Sequence, residues 1–258
     1  MELTWWGTAG YQIKTESQTF LIDPYLSRNK MARPHQDLTP SEISAADRIF
    51  ISHGHFDHIY DVPAIAEKIG APVHCCPVTA DTLKKNGLKE KQIQLVTENE
   101  TTVDFNGHRA RSFFSQHVKF DRWLLIKTLT RINLRIPRYL PLMRDYPAGQ
   151  VLSWRFEIDG QTIQHFGSAG STPAELERLG RQPIDFLLVP LQGNTRICDI
   201  ALNYVKSLNP RVVIPHHQDD FFPPISTYVD IMPFVKAVKK TCPNTEVRIM
   251  RINDTITL

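Results

Sequence analysis

The chain has 258 residues, 41% hydrophobic and 22% charged, and its 30 Lys and Arg against 27 Asp and Glu give a formal charge of +3. These values are ordinary for a soluble globular protein and exclude disordered and fibrous classes. No run approaches the roughly 18 uninterrupted apolar residues of a transmembrane helix.

The opening reads as short strands joined by tight turns: Leu3–Trp6, Tyr11–Lys14 and Thr19–Asp23, the last closed by Pro24. Asp47–Ser52 is an apolar run of strand length that leads into three histidines within six residues. Asp61-Val62-Pro63 then has the form of a cap and first turn for a helix over Ala64–Ile69. Val73–Cys76 predicts a strand and Thr79–Asn86 a short helix ended by Gly87. Ile93–Val96, Thr102–Phe105 and His108–Ser115 predict strands, with Asn106-Gly107 as a hairpin turn between the last two. A second hairpin joins Leu152–Ile158 to Thr162–Phe166 across Asp159-Gly160. The remainder alternates: helix Pro173–Leu179, strand Phe186–Val189, helix Ile200–Leu208, strand Val212–Pro215, helix Val229–Lys240, strand Glu246–Ile252. A β-rich first half followed by helix–strand alternation predicts two sheets packed face to face with helices outside. With no Pro/Gly/Ser linker, residues 1–258 read as one domain.

The chemistry concentrates in Ser52-His53-Gly54-His55-Phe56-Asp57-His58. A divalent cation needs several preorganised imidazole or carboxylate ligands, and four such groups in six residues exceed chance. His53 and His55, two apart at a strand end, can point to one side. Asp57 and His58 fall where the chain turns into the next helix and can face a neighbouring site. Gly54 lets the backbone crowd close to an ion.

This cluster matches the HxHxDH signature of the metallo-β-lactamase superfamily. Trp5-Trp6-Gly7-Thr8-Ala9-Gly10-Tyr11 and Leu21-Ile22-Asp23-Pro24-Tyr25 resemble the opening strands of its branch of metal-dependent hydrolases that includes ascorbate-6-phosphate lactonase. His117 falls at the family's third histidine motif, and Ile214-Pro215-His216-His217 resembles that branch's closing P-x-H motif, favouring His217 as ligand. The resemblance implies an α/β fold, a four-layer αβ/βα sandwich, with the site along one edge of the two sheets. It implies a first site of His53, His55 and His117 and a second of Asp57, His58 and His217.

One departure stands out. The family's fourth motif is a Gly-Asp pair whose aspartate bridges both metals, and Gly167-Ser168 occupies that place here. A neutral hydroxyl is a poorer ligand than a carboxylate and removes a negative charge from between two cations. The first site is therefore expected to stay occupied and the second to be weak. Asp219 and Asp220 could compensate, or be solvent-facing turn residues.

A divalent ion would activate water and polarise a carbonyl or phosphoryl oxygen, with Asp57 orienting that water or shuttling its proton to the leaving group. An all-N/O ligand set suits zinc first, and manganese or iron as well, as one or two ions. No G-x-S-x-G elbow or S-x-x-K motif points to serine chemistry, and P-loop and dinucleotide fingerprints are absent. Four cysteines, Cys75, Cys76, Cys198 and Cys242, form no CxxC pair, so reduced thiols and a cytoplasmic location are expected. The N-terminus also lacks the basic-then-apolar pattern of a secretory signal.

A basic amphipathic insert spans about 119–147. Within 119–146, Lys119, Arg122, Lys127, Arg131, Arg135, Arg138 and Arg144 face only Asp121 and Asp145, a local charge of +5 that leaves the remainder of the chain at −2. Leu125, Leu129, Ile132 and Ile136 recur at helical spacing opposite Lys127, Arg131 and Arg135, and Pro137 would end that helix. Three readings follow: a solvated basic face on a helix packed by its apolar stripe, a lid presenting Arg131 and Arg135 to an anionic substrate, or membrane contact through 123–136.

The leading expectation is a metal-dependent hydrolase of a small anionic ester, lactone or phosphodiester. A nuclease or phospholipase-like phosphodiesterase is the alternative within the enzymes, although slight charge and the lack of an aromatic-basic motif argue against nucleic acid. A non-catalytic metal-binding or sensor protein with a decayed second site is the alternative outside them.

Overall fold

The computed structural model describes residues 1–132, 141–142 and 144–258. One seven-stranded sheet contains β1 (Glu2–Gly7), β2 (Gly10–Lys14), β3 (Thr19–Ile22), β4 (Arg48–Phe50), β5 (Val73–Cys75), β6 (Ile93–Leu95) and β14 (Thr255–Thr257), in the order β14-β1-β2-β3-β4-β5-β6. The other contains β7 (Thr102–Phe105), β8 (His108–Ser115), β9 (Val151–Ile158), β10 (Gln161–Phe166), β11 (Phe186–Pro190), β12 (Val212–His216) and β13 (Glu246–Val247), in the order β13-β12-β11-β10-β9-β8-β7. Each sheet is antiparallel on one side and parallel on the other: β3 to β6 run parallel, as do β10 to β13.

Side-chain alternation builds the layers. In β11, Phe186 and Leu188 enter the core between the sheets while Leu187 and Val189 enter the core beneath the helices. The inter-sheet core is aromatic, with Phe50 and Phe156 in ring contact with each other and each with Phe20 and Trp154. Outside the first sheet lie α1 (Phe56–Ile59), α2 (Val62–Ile69) and α3 (Pro77–Lys85), which bury Ile59, Ile65, Ala66 and Leu83 against Leu21, Ile49 and Val73. A further helix, α4 (Arg122–Ile132), belongs to neither outer layer. Outside the second sheet lie α5 (Pro173–Leu179), α6 (Ile197–Leu208) and α7 (Met232–Thr241). Along α6 the buried Ile197, Ala201, Tyr204, Val205 and Leu208 recur every three or four residues, the stripe a sheet-covering helix needs. The result is the expected four-layer α/β sandwich.

Both predicted hairpins form, and Asn106-Gly107 and Asp159-Gly160 all take positive φ, as the two-residue turns require. Three elements differ, and the helix predicted over Ile200–Leu208 starts a turn earlier, at Ile197. The predicted strand over Glu246–Ile252 stops at Val247, because the chain then leaves the second sheet, buries Met250 in the inter-sheet core and returns as β14 against β1. The Val229–Lys240 helix starts at Met232, since Val229 instead donates its N–H to Gln218.

Candidate metal centre

Parallel strands point their carboxyl ends at one edge, and the polar residues gather there: Asp23 after β3, His53 after β4, Ser168 after β10, His216 and His217 at the end of β12. This is the crevice where α/β sheets bind ligands.

His53 and His55 flank Gly54, whose N–H donates to Ala148 at 2.9 Å. A β-carbon on Gly54 would lie 2.3 Å from the Pro147 carbonyl. The glycine therefore admits the 147–148 backbone beside the two histidines. The next turn folds as α1, a separate helix with His55 at its N-cap, and brings the buried Asp57 and His58 inward. His117 follows β8, and its ring centroid lies 4.6 Å from that of His55.

Two groups of three ligand atoms result: His53, His55 and His117, and Asp57, His58 and His217, each with its atoms within 4.8 Å of one another. In the first, His53 Nε2 and His55 Nδ1 are 3.2 Å apart. In the second, Asp57 Oδ2 is 3.3 Å from His217 Nε2 and 3.7 Å from His58 Nε2. The groups adjoin, with the His53 and His58 ring centroids 3.9 Å apart.

Their orientation is fixed from behind. His58 Nδ1 donates to Asp23 Oδ2 at 2.8 Å, and Asp23 also accepts from the Ser52 N–H at 2.7 Å and the Ser52 hydroxyl. With that hydroxyl committed as a donor, Ser52 Oγ accepts from His53 Nδ1 at 3.0 Å. His117 Nδ1 donates to the Val118 carbonyl at 2.8 Å. His53, His58 and His117 are thus left presenting Nε2, the arrangement that supporting hydrogen bonds impose on metal-binding imidazoles.

Electrostatics suit cation binding. Burial, reinforced by His58, His55 and His117, holds His53 well below the ordinary imidazole value. Burial pushes His55 down to about 4 and also lowers His117. The three imidazoles of the first group are therefore held in the neutral form that binds metal. Burial opposes the charges of Asp57 and His58, yet their mutual attraction prevails: Asp57 lies well below the usual carboxylate range and His58 above the usual imidazole value.

The loop after β1 holds His217 in place. The Thr8 carbonyl accepts from the His217 N–H at 2.9 Å and from His216 Nδ1 at 3.2 Å. The Thr8 N–H donates to Asp219, which forms a 2.6 Å ion pair with Arg28. Gly7 is required beneath it: its φ is +90°, and a β-carbon would collide with the Arg28 guanidinium. Thr8, Asp23 and His217 all adopt positive φ (52°, 42° and 61°), and such backbone strain is held where function over-determines it.

Asp219 is thus neither a bridging ligand nor a solvent-facing turn residue, because it is buried and committed to Arg28 and Thr8. Asp220 is half-buried and accepts from the Ser226 hydroxyl at 2.6 Å. Ser168, in the place of the bridging aspartate, is buried and accepts from the Val118 N–H at 3.0 Å, tying down the loop that carries His117.

Aromatic rings wall the centre. Phe120 lies 5.5 Å from His117, and Phe221 lies 5.1 Å from His217 and contacts Tyr25 and Phe56. Asp23 is not among the expected site residues, though the Asp-Pro ending of its strand marks it, and Arg28 and the aromatic wall carry no local sequence signal.

The insert differs from the packed-helix expectation. Leu125 and Leu129, which should seat the helix, are 48% and 53% exposed. Leu124 and Thr128 face inward instead, because Asp121 sets the helix phase by accepting from Leu124 and from the N–H and hydroxyl of Thr195. Arg131 is exposed at the end of α4. Arg135 lies outside the described residues, as do Ile136, Pro137 and Arg138.

A family profile described as a β-lactamase superfamily domain matches residues 2–217, ending on the last of the six candidate ligands. The chain belongs to the metallo-β-lactamase superfamily. It is 30% identical over 224 residues to a UPF0173 metal-dependent hydrolase of Staphylococcus aureus strain JH9, covering 86% of this chain and 87% of that one. Among solved structures it resembles the metallo hydrolase Igni18 of Ignicoccus hospitalis (TM-score 0.71, 21% identity, 99% and 97% of the chains covered). It also resembles an isothiocyanate hydrolase from Delia radicum gut bacteria (TM-score 0.68, 16% identity, 100% and 99% covered). These two likenesses establish the shared fold.

Proposed function

We propose that this metal-dependent hydrolase works from one firmly held divalent cation at His53, His55 and His117, and cleaves a small anionic ester, lactone or phosphodiester. The observation that carries the reading is the convergence of His53, His55 and His117 within 4.8 Å, with His53 and His117 each engaged through Nδ1 by a hydrogen-bond partner. The residues fit such an ion, since neutral buried imidazoles backed by hydrogen bonds are its preferred ligands and no thiolate is among them. Zinc suits this set best, with manganese and iron compatible. When bound, the cation supplies an activated water near neutral pH and polarises the scissile oxygen.

Asp57, His58 and His217 form the weaker group, because Ser168 supplies a hydroxyl where a bridging carboxylate would stand and that hydroxyl already accepts from Val118. Asp57 stays ionised, since its carboxyl is held low by His58 and His217 against the effect of burial. It therefore orients a water by accepting a hydrogen bond, and is a poor proton carrier near pH 7.

Substrate contacts come from the walls. Phe120, half exposed beside His117, offers apolar surface, while the buried Phe221 backs His217. Burial raises the Asp220 carboxyl, and the Ser226 hydroxyl and the Arg131 guanidinium oppose it. Arg131 is exposed at the end of the helix that starts beside His117. In that position Arg131 meets a negative substrate group, and Arg135 is proposed to assist it.

The test is metal content per chain after chelator-free purification, followed by hydrolysis of a panel of ester, lactone and phosphodiester substrates. One ion per chain and turnover abolished by His53→Ala are expected. Turnover unaffected by metal removal would overturn the reading. Arg131→Glu should raise KM for anionic substrates and leave neutral ones unchanged.

A further inference from the structure

α4 is the most unusual surface of the molecule. With Leu124 and Thr128 turned inward, the outer face carries Trp123 (69% exposed), Ile126 (50%) and Leu129 (53%), three residues apart along the helix. Arg122 and Lys127 are exposed among them, and neither has an ion-pair partner among the described residues. Contiguous exposed apolar residues on a folded chain mark a surface that something covers.

The chemistry of the face narrows what that is. A partner must accept aromatic and aliphatic side chains and offer negative charge to the cations between them. A second copy of this chain would bring Arg122 and Lys127 against their like, since a two-fold contact places the same patch on both sides. Leu124 and Thr128, the half-buried residues of the helix, lie on the side away from Trp123, Ile126 and Leu129, so α4 offers a single-sided ridge suited to a flat surface and not to a groove that wraps it. Tryptophan at the edge of such a ridge favours the water–lipid boundary, where its apolar ring and polar N–H are both accommodated.

We propose that α4 docks this protein on an anionic lipid surface, with Trp123, Ile126 and Leu129 entering the headgroup boundary and Arg122 and Lys127 meeting lipid phosphates. The docking needs no turnover, so it stands or falls independently of the hydrolase reading.

The chain provides its own reporter. Of its four tryptophans, Trp5, Trp6 and Trp154 are buried and only Trp123 is exposed. Mixing the full chain with phosphatidylcholine/phosphatidylglycerol vesicles at low salt should shift tryptophan emission to the blue and carry the protein into the vesicle pellet. Pure phosphatidylcholine vesicles should do neither. Neutralising two cations, as Arg122→Gln with Lys127→Gln, should weaken partitioning roughly 30-fold at about 1 kcal/mol per basic residue. Ile126→Glu with Leu129→Glu should abolish it while metal content stays at the wild-type value, showing that the variant is folded. Trp123→Phe should keep the pelleting and lose the emission shift. Failure to pellet with anionic vesicles would overturn the proposal, as would equal binding to both vesicle types or undiminished binding by the double-glutamate variant. Self-association in sedimentation velocity that Ile126→Glu dissolves would also overturn it, assigning the face to a second copy of the chain.

Discussion

Asp23 Oδ2 lies 2.8 Å from His58 Nδ1, and the same carboxylate takes both the N–H and the hydroxyl of Ser52, the residue before His53. One buried side chain therefore stands behind a member of each group of three. Removing a hydrogen-bonding partner behind a metal-binding histidine typically costs 10–100-fold in affinity. Asp23→Asn should therefore lower zinc affinity by about that range, read by calorimetric titration. Unchanged affinity would show that Asp23 serves folding alone.

Ser168 separates the metal question from the folding question. Ser168→Asp should raise metal content from one ion per chain to two, measured by elemental analysis. Two ions in the unmodified chain would show that Asp57, His58 and His217 suffice without a bridge. Ser168→Ala leaves the buried Val118 N–H without its acceptor, which should cost about 1–3 kcal/mol in denaturant unfolding.

Arg28 and Asp219 form an ion pair with both side chains almost wholly buried. Breaking such a pair from one side strands a charge and should cost about 3–5 kcal/mol, for Arg28→Met or Asp219→Leu alone. The double variant should recover most of that loss in urea unfolding. A double variant as unstable as the sum of the singles would show that the contacts to Thr8, and not the charges, carry the effect.

Acid should destabilise the metal-free chain. Burial holds His55, His74 and His165 at about 4, below the free imidazole value near 6.5. Between those values the unfolded chain binds more protons than the folded one. The associated stability is therefore complete above about pH 6.5 and is lost as pH falls toward 4. His74 isolates the effect, because it stacks on Phe50 beside Arg48, away from the metal ligands. His74→Gln should flatten the pH dependence by about 1.4 kcal/mol per pH unit in that window while metal content stays unchanged. An unaltered slope would show that His74 is not among the groups responsible.

Much of the architecture was legible because its signals are local. Alternation marked the strands, Asn106-Gly107 and Asp159-Gly160 marked the turns, and the HxHxDH cluster places four candidate ligands on one short segment. What escaped depends on distant meetings. Arg28 and Asp219 look like unrelated surface charges until the loop after β1 folds onto the end of β12. Leu125 and Leu129 have helical periodicity, but a side-chain bond from Asp121 to Thr195 sets which face of α4 turns inward. β14 is a three-residue strand whose pairing with β1 is decided by the other end of the chain.

The segment that begins with α4 has two fixed feet. One is Asp121 with Lys119, bonded to Thr195 and Asn194, and the other is Ala148, held by the N–H of Gly54. Each foot adjoins a histidine ligand: Asp121 lies four residues after His117, and Ala148 accepts from Gly54, between His53 and His55. Exchanging residues 122–146 while keeping both feet therefore tests whether this stretch sets selectivity: an altered substrate preference with unchanged metal content is the expected outcome.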